Sequence, residues 1–419
     1  MKNEMSVLEL ILHGRVVGHL AGFSHGRNVL IFTDEFRDDP HRSTLGLITH
    51  PAFPNSSKLL GQPWARNQKL HPLLSNLLPE GALRELLAQS LKTHVDNEFQ
   101  IFSSLGQDLP GALIANLLPP EEIPKHVLDA HGDAKLISLN MPAYGNKFSL
   151  AGVQMKFSMK ERDGRYNLTT GSELGDWIVK TPSTKYKQVP VNEFTAMSLA
   201  ALAGIDTPEI KLIEMDRLSA LPQINLPDEK LAYAIKRFDR DGETRIHMED
   251  FAQVFVKYAH EKYDAANYEQ IGRILFQYSA NGLADVQQFA KRLLVNILLA
   301  NGDAHLKNWS LIYPDRFMPS LSPAYDIVFT RAYIPNEAGF ALNLARTKEW
   351  YTVTTAHFQR WSEKCGVSWR AIKPHLDEVM ERARTLWPSA LSELPMDEVH
   401  KADLKAHWGR LEADFRVEI

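Results

Sequence analysis

Residues 292–313 read RLLVNILLANGDAHLKNWSLIY. The first nine are almost wholly apolar and predict a buried helix, while Asn301 to Asn308 form a polar loop before a second apolar stretch. Within the loop, Asp303 and Asn308 stand as D-x-x-x-x-N. Phosphoryl transfer uses such a pair: a carboxylate to orient or accept the hydroxyl proton, and an amide oxygen to hold Mg²⁺. Lys307 lies between them, where an ammonium could neutralise a phosphate, and His305 could pack or hydrogen-bond to hold the loop. Asn-Gly-Asp is also ordinary turn chemistry, so this loop alone leaves both readings open.

Working outward, LSPAYDIVFT (321–330) sets Asp326 in an otherwise apolar stretch. A carboxylate there is costly unless paired, and either a metal ion or a structural partner would answer. Upstream, DWIVKTP (176–182) ends an apolar strand on Lys180, where a lysine can reach nucleotide phosphates. Glu193, in the helix that begins VNEFTAM, is the carboxylate placed to pair with it. SLAGVQMKF (149–157) is a candidate phosphate-cradling loop: Gly152 permits close backbone approach and Lys156 brings charge. A one-glycine β-hairpin gives the same pattern. AIKRFDR (234–240) is either a linker facing the adenine or one more strand with an exposed basic end.

Composition bounds these readings. In 419 residues, 47 basic and 51 acidic side chains leave a net charge of −4, with no basic block that would make a polyanion footprint. That length predicts two or three domains at about 150 residues each. Cys365 is the single cysteine, which excludes an internal disulfide framework and any multi-cysteine metal site. No apolar run approaches the ~18 residues that span a bilayer. Glu9 and Arg15 interrupt the stretch a signal peptide would need, so a reducing compartment, most simply the cytoplasm, is expected.

Residues 6–33 alternate apolar and polar side chains around Gly14, Gly18 and Gly22, which is hairpin material. Helices are predicted from Leu77 through LLPEGALRELLAQSLK and again around Glu98 to Leu105, with a connector over 121–147. Strands follow in 147–159, RYNLTT, 176–182, 209–215 and 230–240, with one helix over 191–205. From about His247 the pattern, starting with MEDFAQVFVKYA, is mainly helical, with four or so helices after residue 355. The expected class is α+β: a β-rich lobe with an embedded helix, then a helical lobe, and a site between them.

Taken in order, SLAGVQMKF, WIVKTP, VNEF, AIKRFDR, NGDAHLKNWSL and LSPAYD resemble the HipA family, the bacterial serine/threonine kinase toxins of toxin–antitoxin pairs. NLLPEGALRELLAQ (76–89) and FQIFSSLGQDLPGAL (99–113) resemble that family's N-terminal subdomain. The resemblance implies a two-lobed protein-kinase-like fold with a small β-rich N-terminal subdomain and a mainly helical C-terminal lobe. It divides the chain into 1–115 for regulation, 116–245 as kinase N-lobe and 246–419 as C-lobe.

It implies Asp303 as catalytic base and Asn308 and Asp326 as Mg²⁺ ligands. ATP would lie against Ala151, Gly152, Val153, Gln154, Met155, Lys156, Lys180, Lys236, Arg237, Phe238, His305, Leu306, Lys307 and Asn308. Ser149 would be the autophosphorylated serine, and its added charge of roughly −2 would displace the phosphate loop. The implied substrate is an aminoacyl-tRNA synthetase, with growth arrest or persistence as the outcome. The implied partner is a small HipB-like helix-turn-helix antitoxin, through which alone DNA would be met, and no membrane is involved. LGLITHPAFP (45–54) departs from the regular strand pattern expected near the antitoxin-facing subdomain.

Two other classes compete. A catalytically silent, kinase-like binding protein would act as an antitoxin-bound corepressor or scaffold. A metallohydrolase would need H-E-x-x-H, and His260-Glu261-Lys262-Tyr263-Asp264 lacks the second histidine.

Overall fold

The computed structural model describes residues 4–131, 135–136, 154–169, 173–222, 225–263, 265–334 and 336–418. The N-terminal strands β1 (Glu4–Leu12), β2 (Arg15–Phe23), β3 (Arg27–Phe32), β4 (Trp64–Asn67) and β5 (Leu113–Leu117) form one antiparallel sheet in the order β4-β3-β2-β1-β5. A short β6 (Lys135–Leu136) joins β1 in parallel. Between β1 and β2, His13 and Gly14 both take left-handed φ values of 51° and 79°, the two-residue turn that suits the strand twist. Gly18 and Gly22 are not turns but lie within β2. A Cβ on Gly22 would sit 2.4 Å from the Phe99 ring, so glycine there lets the helix Glu98–Leu105 lie close on the sheet. The period-two pattern of β1 sends Leu8, Leu10 and Leu12 into a core with Leu73, Leu87 and Phe102. Its other face buries Met5 and Val7 against Ile123 and Val127.

The second sheet comprises β7 (Lys156–Arg162), β8 (Arg165–Leu168), β9 (Trp177–Lys180), β10 (Ile210–Glu214), β11 (Leu218–Ser219) and β12 (Leu231–Lys236), in the order β10-β12-β9-β7-β8-β11. One face packs Phe157, Met159, Trp177, Val179 and Ala232 on Ala82 and Leu86 of the helix Gly81–Ser90. The other offers Tyr233 and Ile235 to Met197 and Ala200 of the helix Val189–Leu202. A helix of the N-terminal region therefore roofs the sheet that carries Lys180.

The remaining lobe is built on the helices Tyr268–Tyr278, Gly282–Leu298, Thr355–Cys365, Trp369–Glu393 and Glu398–Arg410. Trp387 and Trp408 are fully buried, and their indole N–H groups donate to Leu199 O and Leu298 O, each at 2.8 Å. Trp387 thereby ties the longest helix to the helix Val189–Leu202. The C-terminal helices are lobe packing. Among the described residues no helix is long and apolar enough to cross a membrane.

The expected connector over 121–147 carries a helix, Lys125–His131, and the helical region does not begin at His247. His247–Asp250 is a strand, paired antiparallel with Ser310–Tyr313, and helix begins only at Phe251. Asp250 and Gln253 close a capping box, so the backbone of Asp250 cannot also be helical. On that strand, buried His247 donates from Nε2 to Leu45 O at 3.0 Å, and Glu249 accepts from Leu47 N at 2.6 Å. Burial pushes the Glu249 carboxyl up to about 8 and the His247 imidazole down to about 4, so both are neutral near pH 7. The stretch 45–54 thus departs from strand pattern because residues 47–49 form a short 3₁₀ turn held against this strand.

Candidate active site

Strand β9 is apolar until Lys180, its last residue, which is buried at 7% exposure. Lys180 Nζ donates to Glu193 Oε1 at 2.5 Å and to Asp326 Oδ1. Glu193 lies early in the helix Val189–Leu202 and is 1% exposed. Asp326 has a left-handed φ of 53°, a conformation that costs a non-glycine residue on the order of 1 kcal/mol and recurs at functional sites.

The two carboxylates compete for one ammonium. Burial works against the Asp326 carboxylate, but Lys180, helped by Lys156, holds it well below the usual range. Burial raises Glu193 to about 7, with the Asp326 charge adding to the shift and Lys180 opposing it. Burial disfavours the Lys180 ammonium, yet Asp326 and Glu193 outweigh this and keep it charged.

The polar loop comes directly after the helix Gly282–Leu298. Ala300 turns the chain at a φ of 46°, and Asn301 then organises the residues of the loop. Its Nδ2 donates to Asn296 Oδ1 at 2.7 Å and to Asp326 O at 3.3 Å, while its Oδ1 accepts from Asp303 N at 3.1 Å. Asn308 Nδ2 donates to Asp303 O at 2.7 Å, closing the loop and leaving the amide oxygen free among the described residues. Asn308 and Asp326 line the same small cavity, together with Asn296, Asn301 and Tyr325. The Asp303 side chain is 51% exposed; it accepts from Tyr263 OH at 2.7 Å and lies 3.9 Å from His305 Nε2. Burial lowers His305, so its imidazole is neutral near pH 7.

The structure therefore brings Lys180, Glu193, Asn308 and Asp326 together, with Asp303 joined to them through Asn308 and Asn301. Other expected contacts separate by side chain. Lys156 pairs with Lys180 across the strands and is exposed, and Gln154 has a buried Nε2 with no partner among the described residues. Met155 and Leu306 point into hydrophobic cores, so only their backbones are available to a ligand.

Arg237 is drawn away by Asp239, at 2.9 and 2.7 Å, and by Asp108 at 3.2 Å. Lys236 is exposed, with Glu209 at 3.9 Å. Of that trio Phe238 alone faces the site, tilted on Tyr325 with ring centres 5.6 Å apart. Lys307 is not a free phosphate ligand: its ammonium donates to Asn76 and Asp250. Ser149, Ala151, Gly152 and Val153 lie outside the described residues.

A nucleotide and Mg²⁺ fit the groups present. Besides Gln154 Nε2, two further buried polar atoms at the site, Glu193 Oε2 and His305 Nδ1, have no partner among the described residues. One carboxylate and one amide oxygen suit Mg²⁺, which keeps several waters and takes the rest of its oxygens from phosphates. Among the described residues no group of three or more His, Cys, Asp or Glu side chains gathers to hold a metal. Sequence reasoning passed over Tyr263, Asn301 and Tyr325. Asn301 was visible as the first residue of Asn-Gly-Asp, whereas Tyr263 carries no local signal because its contact with Asp303 spans 40 residues.

A model of the HipA-like C-terminal domain matches residues 148–387, and one of the HipA N-terminal domain matches residues 8–116. The chain is 39% identical over 396 residues to the protein Y4dM of Sinorhizobium fredii, covering 94% of each. It is 25% identical over 390 residues to the serine/threonine-protein kinase toxin HipA of Shewanella oneidensis, covering 85% of each. A solved structure of the Shewanella oneidensis toxin–antitoxin complex of HipA, HipB and operator DNA superposes with a TM-score of 0.70. That match spans 96% of this chain and 97% of the other at 21% identity, and shows the shared two-lobed fold.

Proposed function

Because the chain belongs to the HipA family, we propose that it is an ATP- and Mg²⁺-dependent serine/threonine protein kinase whose chemistry runs at the Lys180–Asp303–Asn308–Asp326 site. The observation that carries this is the meeting of Lys180, Glu193 and Asp326 beside the cavity that Asn308 shares. In this reading Asp303, exposed at the cleft, takes the proton of a substrate hydroxyl. Lys180, held by Glu193, and Lys156 bind the phosphates of ATP, while Phe238 borders the nucleotide. Asn308 and Asp326 hold Mg²⁺, which supplies charge neutralisation on the transferring phosphoryl group. Lys180 neutralises Asp326 in the free protein, and with Mg²⁺ held at Asp326 its ammonium would be available to the phosphates.

The same reading assigns residues 1–115 to regulation, 116–245 to the kinase N-lobe and 246–419 to the C-lobe. A HipB-like antitoxin is the proposed partner, supported by the assembly that the Shewanella relative forms. Autophosphorylation at Ser149, a substrate in the translation machinery such as an aminoacyl-tRNA synthetase, and a cytoplasmic setting complete the proposal. Phosphopeptide mapping of cell lysates tests it. Expression of the wild type should add phosphoserine or phosphothreonine to a translation protein, and Asp303→Asn should not. Identical phosphopeptide maps from the two would overturn the substrate assignment.

A further inference from the structure

The Asp303–Asn308 loop is clamped from outside its own lobe. Lys307 Nζ donates to Asn76 O at 2.9 Å, Asn76 Oδ1 at 3.1 Å and Asp250 Oδ2 at 3.0 Å, and lies 3.6 Å from Glu80 Oε1. Asn76 and Lys307 are 231 residues apart in the chain. Glu80 also takes Lys262 Nζ at 2.9 Å on its second oxygen, and Lys262 O accepts from Leu306 N at 3.2 Å. Asn76 is itself fixed, its Nδ2 donating to Pro72 O at 2.9 Å and Lys257 O at 2.7 Å. Glu80 occupies the N-cap position of the helix Gly81–Ser90, yet its side chain makes no capping bond. The favoured N-cap side chains are the shorter Ser, Thr, Asp and Asn, and the longer glutamate is left free to reach outward. Here it reaches across to two lysines of the other lobe. Burial disfavours its charge, and Lys307, Lys262 and Lys156 more than compensate, so it stays ionised.

The clamp passes directly into the site. Lys307 O accepts from Tyr325 OH at 2.9 Å, immediately before Asp326, and Lys307 immediately precedes Asn308. One lysine therefore has its head in the N-terminal region and its backbone between the loop and the Asp326 segment.

We propose that Asn76 and Glu80 are positioning residues for phosphoryl transfer, setting the Asp303–Asn308 loop through Lys307 and Lys262. The N-terminal region is then a working part of the catalytic centre as well as a regulatory unit. This rests on the kinase reading of the same site. Misplacing a catalytic group by about 1 Å costs up to 100-fold in rate, whereas Lys180, the buried lysine of the ATP site, makes its hydrogen bonds to Glu193 and Asp326 and none to the clamp.

The test uses the full chain with Glu80→Gln, Asn76→Ala, Lys307→Met and each of the first two combined with the third. Expected results are a kcat about ten-fold lower for Glu80→Gln and Asn76→Ala, a KM for ATP within about two-fold of wild type, no further loss on adding Asn76→Ala to Lys307→Met, and a loss clearly smaller than about ten-fold on adding Glu80→Gln, whose contact with Lys262 remains. Amide exchange in the segment 302–309 should speed up about ten-fold in the single variants, with the second sheet unchanged. Unchanged exchange in that segment would overturn the proposal, and so would effects that simply add to that of Lys307→Met. The exchange measurement needs no turnover. A wild type that transfers no phosphate would sink the kinase reading and still leave the clamp decided.

Discussion

Asp303→Asn is expected to lower phosphoryl transfer by about 1,000-fold while the protein unfolds within about 0.5 kcal/mol of the wild type. Asparagine keeps the shape and can still accept from Tyr263 OH, so the ring of Tyr263 stays beside His305, with which it makes an edge contact at 5.1 Å. The loop does not depend on the carboxylate either, because its closure uses the backbone of Asp303 through Asn308 and Asn301. What is lost is the ability to take a proton from the acceptor hydroxyl. Steady-state kinetics with a thermal melt of the same preparation checks this. Transfer that survives the substitution contradicts the base assignment, and toxicity that survives it would favour a corepressor or scaffold role.

Lys180→Met carries the second large effect, on stability as well as activity. It strands the buried Glu193 carboxylate and the partly exposed Asp326 beside it, and breaking such an arrangement from one side costs on the order of 3 kcal/mol. The pH dependence has a definite sign. In the wild type Asp326 lies below its ordinary value, so it contributes stability above pH 4 that is lost as the pH falls. Glu193, raised to about 7, contributes in the opposite sense: its term is present at low pH and fades as the pH rises through 7. Without the ammonium both carboxyls rise, Glu193 further above its unfolded value and Asp326 toward its own, so ionising them costs the folded state more than in the wild type. The difference in melting temperature between wild type and Lys180→Met should therefore be largest near pH 8 and narrow toward pH 5. A pH-independent gap would contradict the shared-ammonium arrangement. ATP binding should weaken in the variant at every pH.

The chemistry of the site was legible where it is local or obeys a strand-and-helix order. A lysine ending an apolar strand, a glutamate early in the next helix and an aspartate in an apolar run do meet, at Lys180, Glu193 and Asp326. Side-chain direction was less legible, because long-range partners decide it. Arg237 and Lys307 each sit within a motif that suggests a nucleotide contact, yet Asp239 with Asp108 captures one and Asn76 with Asp250 the other. Nothing within a few residues of Lys307 announces Asn76. The strand over His247–Asp250 was hidden for a similar reason. MEDFAQVF has helical spacing, but pairing with Ser310–Tyr313 and the Asp250–Gln253 capping box delay the helix. Gly18 and Gly22 read as turn residues, and only the neighbours Ile31 and Phe99 reveal them as sites of close approach.

Lys180, Asp303, Asn308 and Asp326 are proposed to form a working ATP-dependent phosphotransferase. The purified protein is incubated with γ-labelled ATP, with Mg²⁺ and without, and the label is then localised along the chain. Mg²⁺-dependent label on the chain's own Ser149, absent from Asp303→Asn, is the expected result. Tight ATP binding with no label on the chain or on any synthetase offered to it would overturn the kinase reading.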